Sequence, residues 1–443
     1  MQVSSQTPGS TQGSPQSANT PVFPTHHRVL FALVTVLFFL WGMSNNLTDI
    51  LVQQFKKSFE LTQLSAQLVQ TANFLGYFCM AIPAALMMRR WGYKTGMIAG
   101  MTTFGTGMVL FWPAATSGVY FPFLFALFMV GCGASMLETA CNPFMAQFGP
   151  AETSERRLNF VQSFNPPGTI IGVIIGAHFI FSGIELKQPQ IAAMRRAGTY
   201  AAYLHGERMR VVPTYIALGL AVLSFAVLLS RIEFPTIASE HEHEAGDHGS
   251  FRALLHYPNL WLAVIANFCN VGAQVATWSA LIPYMKQFTG VSERVAAGYL
   301  TATLVAMAMG RFVGTQLMRY ISASKLMGIY AIINIGLLTF AITQPGLHGA
   351  YAIVFSSFFL SIMFPTTFAL GVKGLGPNTK LAGSFLVMAV AGGAVFPPIL
   401  GWIARQTGSV AQGYIVPLLG YVVVALYGLM VRHKIVDSLP IHD

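Results

Sequence analysis

Two carboxylic acids in this chain, Asp49 and Glu138, stand inside stretches that are otherwise apolar. The rest of its 15 acidic residues, Glu60, Glu155, Glu207 and Glu293 among them, fall in loops, tails or segment edges. An ionised carboxylate at the centre of a membrane helix costs about 2.5–3.5 kcal/mol even on the lenient insertion scale. The neutral acid costs much less, because desolvation disfavours the charged form. A carboxyl held in such a place is suited to taking up and releasing protons. The plainer alternative is a structural hydrogen bond, or an ion pair with a buried base.

The neighbours of both acids are amides and aromatic rings. Asp49 ends the polar string Asn45-Asn46-Leu47-Thr48-Asp49, where Asn45 and Asp49 are four apart and share a helix face. Trp41 lies two turns before Asp49 on roughly the same side. Glu138 sits in a run of small residues that closes on Asn142-Pro143, so Glu138 and Asn142 offer a carboxyl and an amide to one cavity. The glycines of that run permit close helix approach, and Pro143 frees a backbone carbonyl one turn earlier. Gln162 and Asn165 add amides at i, i+3. A ring face beside amides and carboxylates suits a sugar, whose C–H face packs on Trp while its hydroxyls need paired donors and acceptors.

Further along, Gln274, Thr277 and Trp278 share a helix face and are candidates to close the cavity from the second half; helix–helix packing is the alternative. Arg311, in Gly310-Arg311-Phe312-Val313-Gly314, is a cation well inside an apolar span. It pairs with a carboxylate, binds a substrate hydroxyl, or snorkels to an edge only two turns away. His178, alone on an apolar helix, reads as a structural group. The four cysteines, Cys79, Cys132, Cys141 and Cys269, lie in apolar stretches without metal-like spacing and read as small hydrophobes. No Gly-rich nucleotide loop ending in Lys-Ser/Thr appears, which removes an ATP-driven pump.

These residues need helices in lipid to hold them. Of 443 residues, 54% are hydrophobic and only 9% charged, where a soluble domain carries about a quarter charged. Such a chain cannot cover a water-facing surface, which excludes a soluble enzyme and a disordered protein. The net charge of +10 is scattered among short loops and implies no nucleic-acid partner. Twelve apolar segments follow one another between about 29 and 431, most reaching the roughly 20 residues that span a bilayer. Backbone groups in lipid must bond internally, so each is read as a helix. The expected fold is an all-α membrane protein of twelve transmembrane helices in two six-helix bundles, 28–230 and 258–432. A disordered tail at 1–27, a cytoplasmic linker at 231–257 and a tail at 433–443 complete it. The linker's Glu240-His241-Glu242-His243-Glu244 run reads as solvated rather than metal-binding, because a flexible loop enforces no ligand geometry.

With both termini in the cytoplasm, the cytoplasmic loops hold fourteen Lys and Arg against ten opposite, and five of the ten lie in one long connection, 183–212. The positive-inside rule, counted over short loops, then favours that orientation. It places Asp49 in the outer half of the membrane and Glu138 in the inner half, an order suited to passing protonation across. The halves also echo each other, Pro143 before Gly149-Pro150 against Pro365 before Gly376-Pro377, as in repeat-built transporters.

The chain resembles the fucose permease (L-fucose:proton symporter) family of the major facilitator superfamily. The matching strings are Asn45-Asn46-Leu47-Thr48-Asp49-Ile50-Leu51, Phe111-Trp112-Pro113, Leu137-Glu138-Thr139-Ala140-Cys141-Asn142-Pro143-Phe144, Arg157-Leu158-Asn159, Gln162 to Asn165, Val271-Gly272-Ala273-Gln274 and Gly310-Arg311-Phe312-Val313-Gly314-Thr315. The similarity runs from about residue 28 to about 430. It implies two bundles around a central sugar site, alternating access, and proton coupling through Asp49 and Glu138. Trp41, Asn45, Asn46, Asn142, Gln162, Asn165, Gln274, Trp278 and Arg311 are the expected sugar-binding set. The resemblance implies no cofactor, a bacterial inner membrane and a functional monomer. Two departures bear on which sugar is taken. Asn165-Pro166-Pro167-Gly168 stands where the family has an Asn-Ser-Phe-Gly-like turn, and Phe364 replaces an aromatic hydroxyl. The expected activity is proton-coupled uptake of L-fucose or a related hexose. The rivals are a sodium-coupled glucose/galactose porter and, from another class, a membrane-embedded enzyme.

Overall fold

A computed structural model describes residues 28–45, 47–61, 68–180, 182, 186, 188–234, 250–291 and 293–434. The N-terminal tail, Asn46, and the His/Glu-rich run of the linker lie outside the described residues, as do the side chains of Asn45 and Asp49. The backbone of Asp49 belongs to the helix Leu47–Ser58, which follows Arg28–Asn45.

Among the described residues, nine helices are long and apolar enough to cross a bilayer. One of them, Leu68–Ser117, has 50 residues, which at 1.5 Å each would be about 75 Å long against a hydrocarbon core of about 30 Å. It is two crossings joined at Gly92, whose φ of 78° interrupts the helix. The first crossing (Arg28–Asn45 with Leu47–Ser58) and the fifth (Ser154–Gln162 with Asn165–Phe179) are each carried by two shorter helices. With these the bundle has the twelve spans expected. The others are the fourth (Tyr120–Gln147), sixth (Val211–Ser230), seventh (Pro258–Ser279 with Leu281–Thr289), eighth (Glu293–Leu317), ninth (Ala323–Thr343), tenth (Leu347–Leu360 with Met363–Val372), eleventh (Thr379–Met388 with Gly392–Thr407) and twelfth (Ile415–Lys434). Large apolar side chains such as Trp112, Phe121, Phe179 and Trp402 project outward from this bundle, the surface of a protein solvated by lipid.

Glycine sets which spans touch. A Cβ on Gly168 or Gly172 would overlap the Phe39 or Met43 carbonyl oxygen, so the first and fifth spans meet backbone to backbone. A Cβ on Gly131 would overlap the Asn73 carbonyl oxygen, joining the fourth span to the second. The second half repeats both pairings: Gly392 abuts Phe268, joining eleventh to seventh, and Gly310 abuts Phe358, joining eighth to tenth. The weak echo of proline and glycine between the halves is thus matched in packing.

Prolines break the spans at defined points. Pro166 and Pro167 have no N–H to give to the carbonyls of Gln162 and Ser163, and the fifth span is interrupted there. Pro365 does the same to Ser361, between the two helices of the tenth span.

Two expectations change. The connection 183–212 contains two helices, Gln188–Arg196 and Tyr200–Met209, where the sequence suggested only a loop. Their Ala, Leu, Met and Arg residues are good helix formers, and ion pairs fix them to the end of the first span. Glu207 receives Lys57 at 3.1 Å and Gln54 at 2.9 Å, and Arg195 meets Glu60 at 2.6 Å. Glu207 is consequently buried rather than a loop acid. His178, placed on an apolar helix face, is exposed near the end of the fifth span.

Substituting Gly131 by Val should force the second and fourth spans apart, at a cost of about 1–3 kcal/mol of overpacking. Thermal unfolding of the purified protein in detergent should show a clear drop in midpoint, whereas Gly336→Val, with open space around it, should melt near wild type.

Candidate functional site

Between the first and fourth spans lies a small, partly open cavity lined by Leu37, Phe38, Trp41, Leu137, Glu138 and Cys141. In this conformation it measures about 10 Å3, room for about one water molecule. Its lining side chains are apolar but for the carboxyl of Glu138, the thiol of Cys141 and the indole of Trp41. The indole N–H donates to the Tyr77 hydroxyl at 3.2 Å, which fixes the ring, and Phe38 packs against it at 6.0 Å between centroids.

Glu138 differs from the other buried acids. Glu155 is paired with Lys373 at 2.8 Å, and Glu207 with Lys57. Glu138 is 3% exposed, joins no salt bridge among the described residues, and its Oε2 has no hydrogen-bond partner. A buried carboxylate without a cation carries a desolvation cost that protonation removes. The fourth span supplies this setting because Gly131 and Gly133 let the second and third spans pack directly against its backbone, which keeps the turn bearing the carboxyl buried.

One turn on, Asn142 accepts from Gln162 Nε2 at 2.9 Å, while its own Nδ2 is unsatisfied. The backbone carbonyl of Gln162, freed by Pro166, accepts from Arg311 Nη1 at 2.9 Å. Arg311 Nε donates at 2.7 Å to the carbonyl of Ser361, freed by Pro365. The guanidinium thus bridges two proline-freed carbonyls, one in each half of the protein. It is 4% exposed, so it does not snorkel, and among the described residues it forms no salt bridge. A planar fork with several donors is suited to holding two acceptors at once.

Other ties between the halves gather at the end where the bundle starts and finishes. Besides Glu155–Lys373, Asn159 Nδ2 donates to Thr366 Oγ1 at 3.0 Å and the Lys380 ammonium lies 4.9 Å from the Tyr93 ring centre. A Cβ on Gly383 would press on Pro143. Arg157, fully buried, donates to the carbonyls of Met145, Ala146 and Pro150 and so secures the connection between the fourth and fifth spans. The protein is closed at this end.

The remaining candidates are less central in this conformation. Asn165 Nδ2 donates to the Phe38 carbonyl at 3.3 Å, joining the fifth span to the first. Trp278 Nε1 donates to Ser357 Oγ at 3.0 Å, and Gln274 Nε2 faces Met307 Sδ at 3.9 Å, so both take part in packing within the second half. Thr277 bonds back to the Ala273 carbonyl. Asn46, and the side chains of Asn45 and Asp49, lie outside the described residues. Tyr77 is the site residue that spacing did not single out; the one signal was an aromatic hydroxyl four residues after Asn73 in an apolar span.

A family model for the Major Facilitator Superfamily matches residues 31–397. The chain belongs to this superfamily. Within it, the chain is 38% identical over 402 residues to the L-fucose-proton symporter of Escherichia coli (strain K12), covering 90% of this chain and 92% of that protein. It is 33% identical over 404 residues to the glucose/galactose transporter of Brucella abortus biovar 1 (strain 9-941), covering 90% and 94%. A crystal structure of the major facilitator superfamily transporter FucP in the outward conformation superposes with a TM-score of 0.84 at 37% identity, over 91% of this chain and 98% of that one. The proton:xylose symporter XylE, at 14% identity and a TM-score of 0.71, shares the superfamily fold.

The contrast between paired and unpaired acids has a measurable consequence. Glu207→Ala should lower stability by about 1–3 kcal/mol, since it removes the buried carboxylate that Lys57 and Gln54 share. Glu138→Gln abandons no cation and should melt within about 0.5 kcal/mol of wild type, the usual range for changes that break no paired group. Equal losses in chemical or thermal unfolding would make Glu138 a structural acid instead.

Proposed function

We propose that the protein is a proton-coupled sugar symporter that takes up L-fucose or a related hexose by alternating access. The observation that carries this reading is the unpaired, buried carboxyl of Glu138 in the wall of a cavity it shares with Trp41. The ring face packs a sugar's C–H surface, and the carboxyl changes charge with the proton. The 38% identity to an L-fucose-proton symporter over most of both chains supports both the cargo and the ion. The protein is a transporter and not an enzyme.

In this account the chain lies in a bacterial inner membrane with both termini in the cytoplasm, so the closed end faces the cytoplasm. Asp49, toward the outer side, takes up a proton as sugar enters beside Trp41. The halves, 28–230 and 258–432, then rock about the cavity. Opening inward breaks the Arg311, Asn159 and Glu155 ties between the halves, and Glu138 releases its proton to the cytoplasmic side as sugar leaves. Asn142 and Gln162 offer amide donors and acceptors to the sugar hydroxyls, with Asn45, Asn46, Asn165, Gln274, Trp278 and Arg311 completing the set as the halves rearrange.

Purified protein in liposomes, given a panel of sugars, tests this reading. L-fucose, or one related hexose, should alkalinise the external medium, and Asp49→Asn and Glu138→Gln should abolish that signal. The 33% identity to a glucose/galactose transporter places glucose and galactose in the panel. Sugar entry driven by sodium at fixed pH, with no proton movement, would overturn the coupling.

A further inference from the structure

We infer that Tyr77 is a positioning residue for sugar recognition: its hydroxyl holds the Trp41 indole in the cavity and ties that ring to the helix that carries Glu138. The inference rests on the functional reading above and adds a residue to it.

Tyr77 is 4% exposed and lies in the second span, outside the cavity lining. Its backbone is fixed against the fourth span from three sides. A Cβ on the preceding Gly76 would lie 2.5 Å from the Phe128 carbonyl oxygen, so no gap separates the helices there. Gly131 abuts Asn73, one turn before Tyr77. Ser135 Oγ donates to the Tyr77 carbonyl at 2.9 Å, and Ser135 is three residues from Glu138, on the same face of the fourth span. Tyr77 therefore travels with the turn that bears the carboxyl. Its hydroxyl accepts the Trp41 N–H at 3.2 Å, from a different helix.

The chemistry follows from the indole's single donor. An indole N–H buried without an acceptor is costly, and an untethered ring would turn to find one. With the N–H engaged at its edge by Tyr77, the ring stays fixed as part of the cavity wall beside Glu138. Recognition by a flat aromatic face depends on that orientation, so the helix carrying the carboxyl also sets the sugar platform.

Two readouts test the assignment. The first needs no sugar: the difference in tryptophan emission between wild type and Trp41→Phe isolates Trp41, and the same difference taken on Tyr77→Phe isolates it without its acceptor. The Trp41 component should shift to the blue in Tyr77→Phe; an unchanged component would overturn the tie. The second is sugar uptake. Tyr77→Phe should raise KM about three- to tenfold, the value of one hydrogen bond, with the maximal rate within about twofold. On a Trp41→Phe background, which lacks the N–H, Tyr77→Phe should add nothing. Additive effects would show that Tyr77 acts otherwise than through the indole. If wild type moves no sugar at all, the functional reading fails, while the emission difference still decides the tie.

Discussion

In a low-dielectric interior, each buried charge must find a partner or be neutralised, and the organisation of this protein follows from how each one does so. Arg157 binds three carbonyls at the end of the fourth span. Glu155 and Glu207 each take a lysine. Arg311 takes two carbonyls that prolines have released from their own helices. Glu138 alone among the three buried acids has no charged partner, and its Oε2 accepts no hydrogen bond. A proton relieves the cost of its burial, and in the proposed function this makes Glu138 the group through which an ion gradient acts.

The partners also locate the moving parts. Packing within each half rests on backbone contact at glycines, which leaves little freedom to slide. The polar ties between the halves, by contrast, are made by side chains: Glu155 to Lys373, Asn159 to Thr366 and Arg311 to Gln162. Arg311 is the exception in kind, since it caps helix breaks in both halves. Separating the halves costs one of its two acceptors and frees the Gln162 carbonyl beside the Asn142–Gln162 amide pair. The bond network that closes the protein is continuous with the one that borders the cavity.

Much of this was legible in the sequence because lipid imposes simple rules. Twelve apolar runs required twelve helices, and two acids inside such runs were conspicuous, as was Arg311. Asn142 and Gln162 meet as their shared polarity suggested. The helices of 188–209 were not legible, because Gln188–Arg196 and Tyr200–Met209 are polar enough to resemble a loop and are tied by an ion pair and a hydrogen bond to Glu60, some 140 positions away. Lys57 and Gln54 hold Glu207 in its buried place, which no local pattern could show. Tyr77 escaped notice because its role depends on two other helices, and a tyrosine in an apolar span is usually packing. The role of Arg311 stayed open for a similar reason: the carbonyls it holds are set by Pro166 and Pro365, remote in sequence and joined only by the fold.

In the proposed function Glu138 carries the proton but is needed neither to bind sugar nor to let the halves move. Glu138→Gln in liposomes separates these roles. With labelled sugar on both sides and no gradient, exchange should continue near the wild-type rate, while accumulation driven by an inward proton gradient should vanish. Accumulation that survives in Glu138→Gln would contradict the account.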